Sequence, residues 1–380
     1  MRALTILALF GGANAISWTS KLTPRQQAHS SNVPNTLIGR APADALAPAP
    51  APQTNFTRGP KGDPANDPRF KPFSCGTGEA NAASQDLIEV HKALFGEHNH
   101  DGGAPGARLR ARAAKLRKRD AAVNIDVVIH VVTTTAKEGT IAKDVPEKQV
   151  AAINTAYKDT GFTFKLLDTT WTANDAWAIG GTDEDILAMK TALRKGTYST
   201  LNLYFQTDLA GSILGVCSMP SDISDPSKPK APVDPSFYLD DGCNVNAGTM
   251  PGGSIYGYSQ GMTAAHETGH WLGLFHVFEG YSCDGDGDGD LIADTAPQAQ
   301  STDGCPVAPN VQDSCSGDVW NAKELEALGA KLPPGVSEGE AKVDNVHNVM
   351  DYSTDACYTG FTPMQIQRMK DLWGLYREGR

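Results

Sequence analysis

Three histidines in one short segment constrain the fold of this chain more than any other feature of its 380 residues. The segment reads HETGHWLGLFH from His266 to His276. Residues four apart share one face of a helix, so His266 and His270 can reach a single ion. Gly273 can adopt the backbone angles that end a helix and turn the chain sharply. We therefore predict a helix, a tight turn and a common site to which His276 returns as the third ligand.

The residue types in this segment point to zinc. Imidazole nitrogens suit zinc, which prefers tetrahedral coordination, and three protein ligands leave one position for water. That open position is typical of a catalytic site, not of a closed structural one. Glu267 lies next to His266 and just off the ligand face, where it can accept a proton from water on the ion. A chance HExxH on an ordinary helix is the alternative, but it does not explain the fixed glycine and the third histidine.

A second motif lies far downstream. Asn348-Val349-Met350-Asp351-Tyr352 resembles the Met-turn that accompanies the extended histidine motif in metzincins. The chain resembles the metzincin clan and, within it, the pappalysin-like group with its fungal extracellular metalloproteases, over about residues 120 to 378. The segments that carry this resemblance are 201–204, 242–243, 266–276, 294–295, 304–306, 313–315, 347–352 and 361–363.

The resemblance implies a role for each residue of the two motifs. It implies zinc ligands at His266, His270 and His276 and a general base at Glu267. Met350 would lie beneath the metal as a hydrophobic floor. Tyr352 would stabilise the oxyanion of the tetrahedral intermediate through a hydrogen bond. Ordinary core packing is the alternative reading of Met350 and Tyr352.

The resemblance also implies a fold and an activity. The expected fold is α/β, or α+β. Its upper lobe holds a twisted mixed sheet and the active-site helix, and its irregular lower lobe is pinned by disulfides and ends in a C-terminal helix. The expected activity is that of a secreted zinc-dependent endopeptidase. A secreted zinc- or calcium-binding module without catalysis and a zinc hydrolase for another type of bond are the alternatives. Glu267 favours the endopeptidase, because a binding module has no use for a carboxylate at that place.

Seven cysteines fit an exported chain in which six are paired. Spacing alone leaves their connectivity open. The resemblance implies cross-links among the four late cysteines, which we assign as Cys283–Cys315 and Cys305–Cys357. The third expected pair is Cys217–Cys243.

Cys75 is left over and stands far from the other cysteines. The segment Phe73-Ser74-Cys75-Gly76-Thr77-Gly78 resembles a start segment of the same group, in which an upstream cysteine caps the zinc, although Gly78 replaces the usual proline. A thiolate binds zinc well and would displace the catalytic water. We hypothesise that Cys75 keeps the chain latent, as a zymogen, until it is cleaved near Arg119.

Aspartates alternate with glycines in a short acidic loop. Carboxylate oxygens suit calcium, and the candidate ligands are Asp284, Asp286, Asp288 and Asp290. Thr295 stands where an EF-hand has its bidentate glutamate, and no helix pair flanks the loop, so an EF-hand is not expected. A structural calcium site and a solvated acidic loop both stay open.

The first 119 residues carry targeting and leader signals. Residues 1–15 fit a signal peptide, because Arg2 precedes the apolar run 3–10 and Ala13-Asn14-Ala15 fits the cleavage rule. Residues 16–119 are expected to form a disordered leader and propeptide, since their Ala-Pro-rich part cannot bury enough apolar surface. Lys118-Arg119 is typical of a processing site, with a solvated helix face as the alternative. The catalytic domain is expected to span residues 120–380.

Charge and hydropathy exclude two classes of partner. A formal net charge of -11 lacks the clustered basic charge that nucleic-acid binding needs. No apolar stretch after the signal peptide reaches the roughly 20 residues of a membrane helix. We expect a secreted monomer that binds protein or peptide substrates.

The residues after 120 predict alternating strands and helices, an α/β pattern. The predicted elements are strands at 123–134, 162–167 and 201–206 and helices at 146–158, 183–195 and near 262. The strand at 201–206 is interpreted as a sheet edge that can pair with an extended substrate. His130, in the first strand, is expected to be a core residue and not a ligand. A further helix is predicted from Thr362, with Pro363 and a capping box to Gln365, and an insertion at 316–344 carries a candidate helix at 322–330.

Overall fold

One mixed five-stranded sheet organises the computed structural model of this chain. The structure describes residues 68–77, 87, 88, 90, 122–221, 235–283, 289–306 and 309–380. The expected signal peptide, most of the expected leader with the Lys118-Arg119 site, and Asp284, Asp286 and Asp288 lie outside these residues. Within them, no helix is long and apolar enough to cross a membrane.

The sheet is parallel except at one edge. Its strands are β1 (Val123–Thr133), β2 (Phe162–Ala173), β3 (Leu201–Gln206), β4 (Gly215–Cys217) and β5 (Cys243–Asn246). Their order is β2-β1-β3-β5-β4. β1 pairs in parallel with β2 and β3, β3 pairs in parallel with β5, and β4 runs antiparallel to β5. Every residue of β3 is buried, which is typical of a parallel strand covered on both faces.

The interpretation of residues 201–206 as a sheet edge is wrong. β3 lies between β1 and β5, and the two edge strands are β2 and β4. β4 and β5 were not predicted, because strands of three and four residues are too short to show alternation in a segment rich in glycine and proline. β2 also runs to Ala173, beyond its predicted end, since its polar second half still pairs with β1 at the other edge of the sheet.

Helices cover the sheet and lead into the second half of the chain. They are α1 (Val145–Ala156), α2 (Asp175–Ile179), α3 (Asp183–Leu193), α4 (Pro235–Asp240), α5 (Met262–Trp271), α6 (Ala322–Ala327) and α7 (Pro363–Leu372). The short helices α2 and α4 were not predicted, and α6 is shorter than its predicted range. α7 begins with the predicted capping box between Thr362 and Gln365. It continues as a π-helical turn, Trp373–Arg377.

The main core lies between the sheet, α1 and α5. It contains Val127 and Ile129 from β1, Ile153 from α1 and Ala265 from α5. His130 lies on the other face of β1, where it is buried. Its ring nitrogens lie 2.7 Å from the Thr170 hydroxyl and 3.0 Å from the Asn202 side-chain oxygen, which confirms the prediction of a core histidine.

The chain after α5 has little regular structure and is held together by disulfides and polar contacts. The structure contains three disulfides: Cys217–Cys243 between β4 and β5, Cys283–Cys315, and Cys305–Cys357. These are the three expected pairs, and Cys75 is a free cysteine. The protein therefore has the expected mixed α/β fold with an irregular, disulfide-linked second half.

Candidate metal centre

The turn after α5 is built around one glycine. Gly273 has a φ of +96°, which side-chain-bearing residues rarely adopt. A Cβ atom on Gly273 would lie 2.2 Å from Cδ1 of Leu372, a buried residue of α7. Glycine is thus required both for the backbone angle and for the close approach of α7. The turn brings His276 back towards the helix, as the sequence predicts.

The imidazole rings of His266, His270 and His276 converge on one point. The Nε2 atom of His270 lies 3.1 Å from the Nε2 atoms of both His266 and His276. The Nδ1 atoms of His266 and His270 lie 2.7 and 2.8 Å from the backbone oxygens of Val349 and Leu274, so each Nδ1 donates a hydrogen bond and each Nε2 keeps its lone pair. Burial lowers the pKa of both histidines well below the usual value, and both rings are therefore neutral.

This set of nitrogens fits a zinc ion. The buried Nε2 lone pairs of His266 and His270 face each other, and they repel unless a cation lies between them. Nitrogens bound to a tetrahedral zinc ion at about 2.0 Å lie about 3.3 Å from one another, close to the observed 3.1 Å. The backbone carbonyls that orient His266 and His270 act as the second layer of contacts that zinc-binding histidines use.

Glu267 is buried beside the three histidines, against the edge strand. Thr77 donates a hydrogen bond from its hydroxyl to Oε2 of Glu267 at 3.3 Å. A Cβ atom on Gly215 of β4 would lie 2.3 Å from Oε1, so the glycine makes room for the carboxylate. Burial raises the pKa of Glu267 to about 8, although hydrogen bonds from Cys75 and Thr77 oppose this shift. The roles of Gly215 and Thr77 were not predicted, because both lie far from the histidines in sequence.

Met350 packs against α5, the helix that carries His266 and His270. It is fully buried, and a Cβ atom on Gly269 would lie 2.4 Å from its Sδ atom. The glycine between His266 and His270 therefore lets the thioether pack directly onto α5. The preceding residue, Val349, orients His266, so the predicted Met-turn contacts the histidine cluster both through its side chain and through its backbone.

The Tyr352 ring is buried beside two of the three histidines. Its ring centroid is 5.1 Å from that of His276 and 5.8 Å from that of His266. The backbone N–H of Cys75 donates to its hydroxyl at 3.1 Å, and the hydroxyl donates to the Cys75 carbonyl at 3.4 Å. The phenol therefore hydrogen-bonds to a peptide backbone that passes over the histidines.

That backbone belongs to the segment around Cys75. The Sγ atom of Cys75 and the metal-facing nitrogens of the three histidines all lie within 4.8 Å of one another. Burial, followed by the nearby Glu267 carboxylate, raises the pKa of the Cys75 thiol. Cys75 forms a parallel bridge with Gly215 of β4. The structure thus brings together the predicted ligands, Glu267, Tyr352 and the candidate latency residue.

A second group of candidate ligands, Cys305, His347 and Cys357, also lies close together. Cys305 and Cys357 form a disulfide, so their sulfurs are not thiolate ligands. The Nδ1 atom of His347 lies 2.8 Å from the Cys357 backbone oxygen. This group stabilises the loop before α7 and does not form a metal site.

Asp290 is the one candidate calcium ligand within the described residues. Its carboxylate accepts hydrogen bonds from the Ile292 N–H at 3.0 Å and from the Thr295 hydroxyl at 2.9 and 3.0 Å. Burial raises its pKa to about 7. Arg368 of α7 donates hydrogen bonds to the backbone oxygens of Asp290 and Leu291. The loop end is therefore anchored to the C-terminal helix.

Comparisons with known proteins find sequence relatives among the metalloproteases. Residues 246–373 match the family model described as Peptidase M43, pregnancy-associated plasma protein-A. The chain is 40% identical over 280 residues to an extracellular metalloprotease of Aspergillus oryzae, covering 67% of this chain and 78% of that protein. It is 37% identical over 310 residues to an extracellular metalloprotease of Pyricularia oryzae, covering 81% and 91%. A solved structure, mature mirolysin of Tannerella forsythia in complex with a cleaved peptide, is similar with 24% identity and a TM-score of 0.48, covering 67% of this chain and 92% of that one.

Proposed function

The chain belongs to the pregnancy-associated plasma protein-A family of metalloproteases, and on this premise we propose that His266, His270 and His276 hold one catalytic zinc ion. The protein is an extracellular metalloendopeptidase, which hydrolyses peptide bonds. The observation that carries the zinc proposal is the convergence of the three Nε2 atoms beside a buried glutamate. When bound, zinc supplies Lewis acidity that polarises the scissile carbonyl and lowers the pKa of water to about 7.

Glu267 acts as the general base. It accepts a proton from the attacking water and then delivers it to the leaving amine, as a buried carboxylate beside the reacting atoms can do. Room for the carboxylate comes from Gly215 of β4, which has no side chain to fill the space. Its position next to His266 in the helix keeps it at a constant distance from the ligand cluster.

Tyr352 donates a hydrogen bond to the carbonyl oxygen that gains negative charge as the carbonyl is attacked. Its hydroxyl already contacts a peptide N–H and a peptide C=O, both at Cys75. That contact supports the proposal that the phenol reaches the backbone of a bound peptide. Met350 packs against Gly269 of α5 and so supports the helix that carries His266 and His270.

Cys75 keeps the unprocessed chain latent by binding the metal as a thiolate. The proposal is supported by its place beside the three histidine nitrogens and by the hydrogen bond between Thr77 and Glu267, which occupies the general base. Cleavage near Arg119 separates residues 16–119 from the catalytic domain, residues 120–380, and lets the segment leave. In the unprocessed chain, Cys75→Ala is expected to raise activity, and Ser74→Ala serves as the matched control. A Cys75→Ala chain as inactive as the parent would contradict latency.

We also propose a structural calcium ion at the acidic loop. The buried Asp290 carboxylate, with Asp284, Asp286 and Asp288 beside it in sequence, would supply the oxygen ligands. The ion would join the loop to α7, because Arg368 bonds to the backbone at the loop end.

Cleavage of gelatin by the chain processed near Arg119 tests the general-base assignment. The Glu267→Gln variant keeps the shape of the side chain but cannot take a proton, so it should bind one zinc per chain and lose at least about a hundredfold in activity. Glu138→Gln, at an exposed position, is the control and should cut like the parent. Full activity in a zinc-loaded Glu267→Gln chain would remove the assignment.

A further inference from the structure

The segment around Cys75 lies along the edge strand in the manner of a bound peptide. Leu214 donates its N–H to the Ser74 carbonyl at 2.7 Å, and Gly76 donates its N–H to the Gly215 carbonyl at 2.8 Å. Among the described strands, β4 otherwise pairs only with β5. Extended peptides that add to a sheet edge use the same main-chain bonds. The groove that the segment fills can therefore hold an extended substrate.

Side chains alternate along an extended segment, so Phe73 and Cys75 point to the same side. Cys75 reaches the histidine nitrogens. The Phe73 side chain is buried next to the histidine nitrogens and is only 4% exposed. Its ring centroid lies 4.6 Å from Tyr352, 5.0 Å from His266 and 5.4 Å from Tyr258. A pocket with three aromatic walls thus opens directly beside the metal centre.

The walls of this pocket are held by contacts within the catalytic domain. Tyr258 donates its hydroxyl hydrogen to the Tyr352 backbone oxygen at 3.1 Å. His266 is fixed by the Val349 carbonyl. Neither of these bonds involves the segment 70–77, so both remain when the segment leaves, while the Tyr352 hydroxyl loses its contacts with Cys75. A pre-formed apolar pocket beside the reacting atoms is what sets the preference of a protease for one side chain.

The geometry points to the Phe73 pocket, walled by Tyr258, His266 and Tyr352, as the subsite for a substrate side chain flanking the scissile bond. This subsite takes a large aromatic or aliphatic side chain. The inference rests on the proposed function, because it treats the segment around Cys75 as the occupant of the substrate groove. It goes further in naming the substrate class: proteins and peptides cut next to bulky apolar residues.

Peptide cleavage by the chain processed near Arg119 tests the subsite. A set of quenched fluorescent peptides carries phenylalanine, leucine, alanine, arginine or aspartate at one position, and mass spectrometry locates the cut. We expect phenylalanine or leucine beside the cut, with kcat/KM at least about tenfold above the alanine peptide. Cleavage without this preference, or with preference for arginine, aspartate or alanine, overturns the subsite while the protease stands. No cleavage of any peptide overturns the proposed function instead.

A synthetic peptide covering residues 70–77 gives a second readout. The parent peptide should inhibit the processed chain, and Phe73→Ala in the peptide should raise its inhibition constant at least about tenfold. Ser74→Ala is the matched control, because Ser74 bonds to Leu214, the residue before β4, through its backbone carbonyl, and it should change the constant less than about twofold. Equal inhibition by the Phe73→Ala and parent peptides would overturn the subsite. The Cys75→Ala peptide tests latency separately.

Discussion

Replacing Gly273 with alanine should destabilise the turn that returns His276 to the metal centre. A residue with a side chain at a φ of +96° costs about 1–2 kcal/mol. The new Cβ atom would also lie 2.2 Å from Cδ1 of Leu372. Leu372 is fully buried, within a cluster that includes Phe275 and Leu375, so it cannot move aside freely. Forcing a methyl group into such a core costs about 1–3 kcal/mol. The expected loss in the free energy of unfolding is therefore about 2–5 kcal/mol.

Gly139→Ala is the matched control for this variant. Gly139 has a φ of +75°, and no atom lies within 4 Å of the position that a Cβ atom would take there, so only the backbone cost of about 1–2 kcal/mol applies. Urea unfolding followed by tryptophan fluorescence measures both variants, and the difference between them isolates the clash. The double variant Gly273→Ala, Leu372→Ala should lose less stability than the sum of the two single losses, because the two changes share one space. Equal losses in Gly273→Ala and Gly139→Ala would refute the account of the turn.

Three further changes have expected outcomes. Asp241→Asn should lower the free energy of unfolding, measured with urea, by about 3–5 kcal/mol, because it leaves Arg377 and Arg194 buried without their carboxylate. The control, Asp208→Asn, breaks an exposed pair with Lys137 and should lower it much less. Burial raises the pKa of Asp355 to about 7. The folded chain therefore holds the proton of the Asp355 carboxyl more tightly than the unfolded chain does, and the contribution of this group to stability falls as pH rises from about 4 to about 7. In urea unfolding, the change in the free energy of unfolding caused by Asp355→Asn should therefore be more stabilising, or less destabilising, at pH 8 than at pH 5. An identical change at the two pH values would contradict the raised pKa of Asp355. A calcium-selective chelator should lower the melting temperature of the parent but not of Asp290→Asn, and an unchanged parent would remove the calcium site.

Local spacing predicted the parts of the site that lie within one stretch of chain. The helix, the Gly273 turn and the convergence of the histidines follow from the 3.6-residue period and from the backbone freedom of glycine. The boundaries of β3 and the capping box of α7 were predicted for the same reason, since each depends on neighbours within a few residues.

Contacts between segments that are far apart in the sequence could not be predicted from it. β4 and β5 are too short for a pattern, and without them β3 was taken as the sheet edge. Gly215 makes room for Glu267 only because β4 lies against α5, and Phe73 finds its pocket only because Tyr258 and Tyr352 meet there. Such contacts depend on how the elements pack together, and a single glycine or phenylalanine in the sequence does not indicate them.

The ligands of the zinc ion are the central claim, and X-ray absorption at the zinc edge measures them directly. In the unprocessed chain we predict three nitrogen neighbours at about 2.0 Å and one sulfur at about 2.3 Å. In the chain processed near Arg119, and in the unprocessed Cys75→Ala variant, the sulfur should be replaced by oxygen while the three nitrogens remain. A zinc ion with fewer than three imidazole neighbours in the processed chain, or no zinc at all, would contradict the account.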